Sequence, residues 1–102
     1  MYNMLDFFLI DDSQPKPNRN SKLEHIGGIE DELFYQLRSE SIIDSWFDYY
    51  SDFRWGSEIV ARIFLKLQQR PKSATLQKEE KAFSTILQKA IDAKSGVLAF
   101  GD

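Results

Sequence analysis

The chain has 102 residues, of which 42% are hydrophobic, 14% aromatic and 28% charged, with no cysteine and one histidine. That is the length and apolar content of one domain, residues 1–102, and it excludes a disordered chain, a disulfide scaffold, zinc–thiolate and iron–sulfur sites and a cysteine nucleophile. The formal charge of −3 is divided unevenly, with net −1 over residues 1–27, −6 over 28–58 and +4 over 59–102, and such a division can steer a partner without bearing on the fold.

The N-terminal apolar run, Met4 to Ile10, contains Asp6, follows no basic residue and stops after seven positions. It is neither a signal peptide nor a membrane span, and with no cysteine the expectation is a soluble, cytoplasmic protein. Leu5 to Ile10 reads as a short strand buried on both faces. Asp11 to Asn20 is a polar loop with two prolines. Gly27-Gly28 marks a turn, and Ile29, Leu33, Phe34 and Leu37 then recur at helical spacing, with Glu30, Asp31 and Glu32 in the first turn where the helix dipole favours them. The expected helix spans 29–38.

Residues 41–55, SIIDSWFDYYSDFRW, support two periods. As a helix, Ser41-x-x-Asp44 resembles a capping box, Ile42, Ile43, Trp46, Phe47, Tyr50 and Phe53 share one arc, and Asp44, Asp48 and Asp52 form a stripe on the other. As a strand from Phe47, alternate aromatics face one side and Asp48, Tyr50, Asp52 and Arg54 the other. The reading adopted is helix over 42–50 and extended chain over about 51–55. Either period places Asp48 and Asp52 on one face beside an aromatic ring.

Ser57-Glu58 opens a helix over 57–70, with Ile59, Val60, Ile63, Phe64 and Leu67 on its apolar side and Pro71 as its stop. The last helix runs from Thr75 or Leu76 to about Lys94, carries Phe83, Ile86, Leu87, Ala90 and Ile91 on one stripe, and has Gly96 placed as its cap. Val97 to Phe100 is a second short apolar strand. Two such strands at opposite ends of the chain satisfy their backbones by pairing in one sheet under the helices. The expected fold is α+β and mainly helical, with a small sheet formed by the N- and C-terminal strands.

Aspartates at i, i+4 and i+8, with no lysine among residues 39–56, repel one another by a few tenths of a kcal/mol per pair. A partner bringing lysine or arginine relieves that repulsion, and neighbouring tyrosine and tryptophan rings suit interface anchors. The candidate partner-binding residues are therefore Asp44, Trp46, Asp48, Tyr49, Tyr50, Asp52 and Trp55. The plain alternative is a solvated acidic face over a core of aromatics.

Catalytic candidates are weaker. Asp11 and Asp12 follow a central strand but, as neighbours, point to opposite faces, and loop hydrogen bonding accounts for them. His25 lacks a second histidine or a cysteine to work with, so a hydrogen-bonded turn histidine is its expected role. Lys78, Lys81 and Lys89 lie near one helix face but alternate with Glu79 and Glu80 in an acidic protein, unlike a nucleic-acid interface. No catalytic residue, cofactor, metal, nucleic-acid or membrane partner is expected.

The acid-and-aromatic cluster Asp44-Ser45-Trp46-Phe47-Asp48-Tyr49-Tyr50-Ser51-Asp52, in a short, acidic, cysteine-free α+β chain, resembles bacterial immunity proteins, including those paired with contact-dependent inhibition or other polymorphic toxins. The order of acids and tyrosines differs from the colicin-type immunity helix. The resemblance implies a cytoplasmic inhibitor that binds one cognate toxin, often a basic nuclease, in a 1:1 complex and blocks its active site. A small adaptor or accessory subunit of a larger cellular protein is the alternative function.

Overall fold

In the computed structural model, which describes residues 4–15, 23–70 and 76–101, the elements follow as β1 (Leu5–Ile10), β2 (His25–Ile29), α1 (Asp31–Ser39), β3 (Phe53–Trp55), α2 (Ser57–Gln69), α3 (Gln77–Asp92) and β4 (Gly96–Phe100). The strands form one antiparallel sheet in the order β2-β1-β4-β3. The expected pairing of the two chain ends is its centre, with Phe8 opposite Leu98 and Phe7 opposite Ala99. Pro71 and Thr75, and residues 16–20 of the expected loop, lie outside the described residues.

The sheet is not made of terminal strands alone. His25–Ile29, expected as a turn, pairs along the outer side of β1. Its glycines lower strand propensity, yet Gly27 has φ +142° and a Cβ there would stand 2.7 Å from the Ile86 side chain. Close packing of the edge strand on α3 requires glycine. On the other edge, β3 turns the expected extended stretch into three paired residues. Helix α1 starts at Asp31, because Ile29 is the last residue of β2.

Leu5, Phe7, Val97, Ala99 and Trp55 join one core with Leu33, Phe34 and Leu37 of α1, Val60, Ile63 and Leu67 of α2, and Phe83, Leu87 and Ala90 of α3. Phe7 lies 5.5 Å from Trp55 and 5.8 Å from Phe83 between ring centroids. The helical spacing of these residues is the apolar stripe read from the sequence. Alternation along the strands sends Phe8, Leu98, Arg54 and Phe100 to the opposite face.

Helix ends depart from the sequence expectation. Ser41 has φ +61°, its N–H donates to the Arg38 carbonyl, and the Ile42 N–H donates to the Leu37 carbonyl. This is a Schellman termination of α1. A residue that closes one helix in the left-handed region cannot cap the start of another, so the expected helix over 42–50 does not form. Lys94, at φ +55°, ends α3 in the same way through its own N–H to Ile91 and the Ser95 N–H to Ala90. Gly96 is not the cap; it begins β4, where a side chain would strike the Trp55 carbonyl. At the start of α2, Ser57 is the first helical residue, and its N–H and hydroxyl both donate to the Asp12 carboxylate from the end of β1.

Arg70, just past α2, joins three helix ends. Its guanidinium contacts Glu40 at 2.7 and 2.8 Å and Glu80 at 2.6 Å, with only 6% of its side chain exposed. The hydrogen bonds from Arg70 hold the Glu40 carboxyl below its usual range, and those with Glu40 and Glu80 push the guanidinium further up.

Candidate protein-binding surface

Between α1 and β3 the chain runs from Glu40 to Asp52 without helix or strand. Connections of this length lacking regular structure are uncommon in compact domains and are usually either functional or linker segments. This one is built of turns: the Phe47 N–H donates to the Asp44 carbonyl and the Ser51 N–H to the Asp48 carbonyl. Asp48 Oδ1 also accepts the Tyr50 N–H at 3.1 Å, the local bonding that makes aspartate a turn residue.

Four elements hold the loop. From α1, Arg38 Nη1 donates to the Phe47 carbonyl at 2.9 Å. From α2, Lys66 Nζ donates to the Ser41 carbonyl at 3.4 Å and Arg62 lies 3.7 Å from Asp44. The Tyr49 hydroxyl donates to the carbonyl of Ile29, the last residue of β2, at 3.0 Å. Beyond β4, the Gly101 N–H donates to Asp52 Oδ1 at 3.1 Å. Ile42, Ile43 and Tyr49 point inward and are buried. Burial of these side chains and the hydrogen bonds together fix the course of the loop backbone.

Those outward side chains are Trp46, 80% exposed, and Tyr50, 53% exposed. The Trp46 ring rests edge-on against Phe47 at 6.3 Å. Tyr50 meets Tyr49 at 5.1 Å, and Tyr49 in turn meets Tyr35 of α1 at 6.1 Å. Partial burial, with Asp48 next in effect and then Tyr50, raises the Tyr35 phenol above its usual pKa. Burial pushes Tyr49 up to about 12, with the Asp31 charge adding to it.

The seven candidate residues divide in this structure. Trp46, Asp48, Tyr50 and Asp52 are exposed on the loop and Asp44 is half-buried against Arg62. Tyr49 and Trp55 are 2% and 0% exposed and belong to the core, which corrects their expected place at a contact surface. Both rings suit an interface by type, but the loop turns Tyr49 inward and the short edge strand β3 turns Trp55 into the core. The Trp55 ring packs on Phe7, Phe53 and Phe47, and its Nε1 has no hydrogen-bond acceptor among the described residues. The aspartate stripe dissolves for the same reason: Asp44 meets Arg62, Asp48 caps its own turn and Asp52 holds Gly101.

Tyr35 and Asp31 of α1 are also exposed, Tyr35 next to this loop through its contact with Tyr49, and neither was singled out from the sequence. A legible signal existed: Tyr35 falls outside the Leu33, Phe34, Leu37 stripe, at i+4 from Asp31 and i−3 from Arg38, so it lies on the polar side of α1.

His25 is on strand β2, not in a turn. Its Nε2 is 3.1 Å from Asp6 Oδ1, both side chains are about half exposed, and the ring meets Phe8 at 5.0 Å. Asp11 accepts from the N–H and hydroxyl of Ser13, and Asp12 from Ser57; these bonds hold both carboxyls below their usual range. Among the described residues no helix is long and apolar enough to cross a membrane. Comparison with known protein families, curated proteins and solved structures finds no match to this chain.

Proposed function

We propose that this protein is a stoichiometric inhibitor of the immunity type, which binds a cognate, basic toxin domain 1:1 through the loop from Glu40 to Asp52 and occludes the toxin's active site. The observation that carries the reading is the loop itself: an irregular segment hydrogen-bonded from several sides that nevertheless leaves Trp46 80% exposed. Single exposed apolar residues are ordinary. An exposed tryptophan and tyrosine on one pre-ordered loop are not, because rigid aromatic rings lose little entropy on contact and dominate interface energetics. The net charge of −6 over residues 28–58 supports a basic partner. The protein acts in this reading by occupancy, in the cytoplasm and without a cofactor.

The test is a binding titration against the product of the adjacent reading frame, with Trp46→Ala beside the wild type. Tight binding that weakens with salt and drops at least about tenfold in Trp46→Ala supports the reading. Tight binding without salt dependence transfers the loop to an accessory-subunit role.

A further inference from the structure

We propose, resting on the binding-loop reading above, that α1 completes the contact surface and that Tyr35 and Tyr50, flanked by the carboxylates of Asp48 and Asp31, receive a lysine or arginine side chain of a basic partner protein. Tyr35 is 37% and Tyr50 53% exposed, and the buried ring of Tyr49 lies between them, 6.1 Å from one and 5.1 Å from the other. Tyr49 thus joins the helix ring and the loop ring through one contact with each. Asp48 and Asp31 both act electrostatically on the Tyr35 phenol.

Neither carboxylate is among the ion pairs formed by the described residues, which join Asp6 to His25, Asp44 to Arg62, and Glu40 and Glu80 to Arg70. Arg38 is the nearby cation. Its guanidinium carbon lies 5.2 Å from the Tyr35 ring centroid, and its Nη1 donates to the Phe47 carbonyl. It serves the loop from the inside and shows that this aromatic environment accepts a guanidinium. Asp31 also suits the start of α1 through the helix dipole, whereas Asp48, among the described residues, bonds within its own turn and leaves its second oxygen for a partner. Charge complementarity therefore selects a cationic side chain over an apolar or acidic one, with tyrosine faces attracting it and aspartates fixing its position.

The experiment uses backbone-amide and aromatic NMR of the whole chain with a hepta-arginine peptide as probe and a hepta-glutamate peptide as control. The arginine peptide should shift resonances of Tyr35, Asp48 and Tyr50 in a salt-sensitive manner. Asp48→Asn, which keeps its acceptor for the Tyr50 N–H, and Tyr35→Leu should each weaken it about two- to fivefold. Glu79→Gln on α3 should leave it unchanged. Shifts centred elsewhere, no shifts, or equal affinity in Asp48→Asn overturn the proposal, and so do shifts at the same residues on raising protein concentration alone, which would assign the surface to a second copy. If the cognate partner loses affinity in Trp46→Ala but not in Asp48→Asn or Tyr35→Leu, the cation site is wrong while the binding loop stands.

Discussion

Ser41 and Lys94 hold the left-handed conformation that glycine adopts without penalty, each to close a helix by the same pair of backbone hydrogen bonds. A Cβ in this region costs about 1–2 kcal/mol, partly offset by the greater unfolded-state freedom of glycine. Ser41→Gly and Lys94→Gly should therefore each stabilise the protein by about 0.5–1 kcal/mol, read as a higher denaturation midpoint at unchanged slope. A lower midpoint would show that these side chains contribute more than their strain. The aspartates behave differently from a repelling stripe. Asp48→Asn and Asp52→Asn retain an oxygen for Tyr50 and Gly101, so the melt should stay in place, whereas alanine at either position should lower it.

At the scale of elements, helix ends are tied together by charge. Replacing Arg70 with methionine leaves Glu40 and Glu80 facing each other without a cation, an uncompensated arrangement that costs about 3 kcal/mol. Acid should then stabilise the variant, because protonation discharges the remaining carboxylates. The wild type responds in the opposite sense. Glu40, Asp11 and Asp12 have folded pKa values below their ordinary values of 4.5, 3.8 and 3.8. Their contribution is present above those values and is lost as pH falls through the lower folded pKa values. Stability should hold from neutrality to about pH 4.5 and decline below it, with Glu40→Gln less stable at pH 7 and converging on the wild type in acid. Parallel curves for the two proteins at all pH values would contradict the role given to Arg70. The loop is tied to β4 in a similar way: a Cβ on Gly101 would lie 2.8 Å from the Ser51 carbonyl, so Gly101→Ala should shift the amide resonances of Tyr49 to Asp52.

Across the whole molecule, the elements readable from the sequence were the short continuous apolar runs β1 and β4 and the helices with strong periodicity, α2, α3 and, within two residues, α1. Their apolar stripes are what the core uses. The edge strands were not readable, since β2 carries two glycines demanded by tertiary packing and β3 is too short to show a period. The loop from Glu40 to Asp52 was misread because Ile42, Ile43, Trp46, Phe47 and Tyr50 imitate a helical arc, while its conformation is set by Ser41 and by hydrogen bonds from residues far away in sequence. Asp12 at the head of α2 is another such contact, separated from Ser57 by nearly half the chain. For the candidate surface, composition pointed to residues 41–55, and the structure separates the exposed Trp46, Asp48 and Tyr50 of that segment from the buried Tyr49 and Trp55.

In the proposed reading this loop is an ordered contact surface whose exposed rings serve binding and not folding. The most direct measurement is an isothermal titration of the adjacent reading frame's product into wild type and Trp46→Ala, with a thermal melt of each protein alone. Because Trp46 is 80% exposed, Trp46→Ala should leave the melt unchanged and lower the affinity at least about tenfold, mainly through faster dissociation. An unchanged melt with unchanged affinity would contradict it.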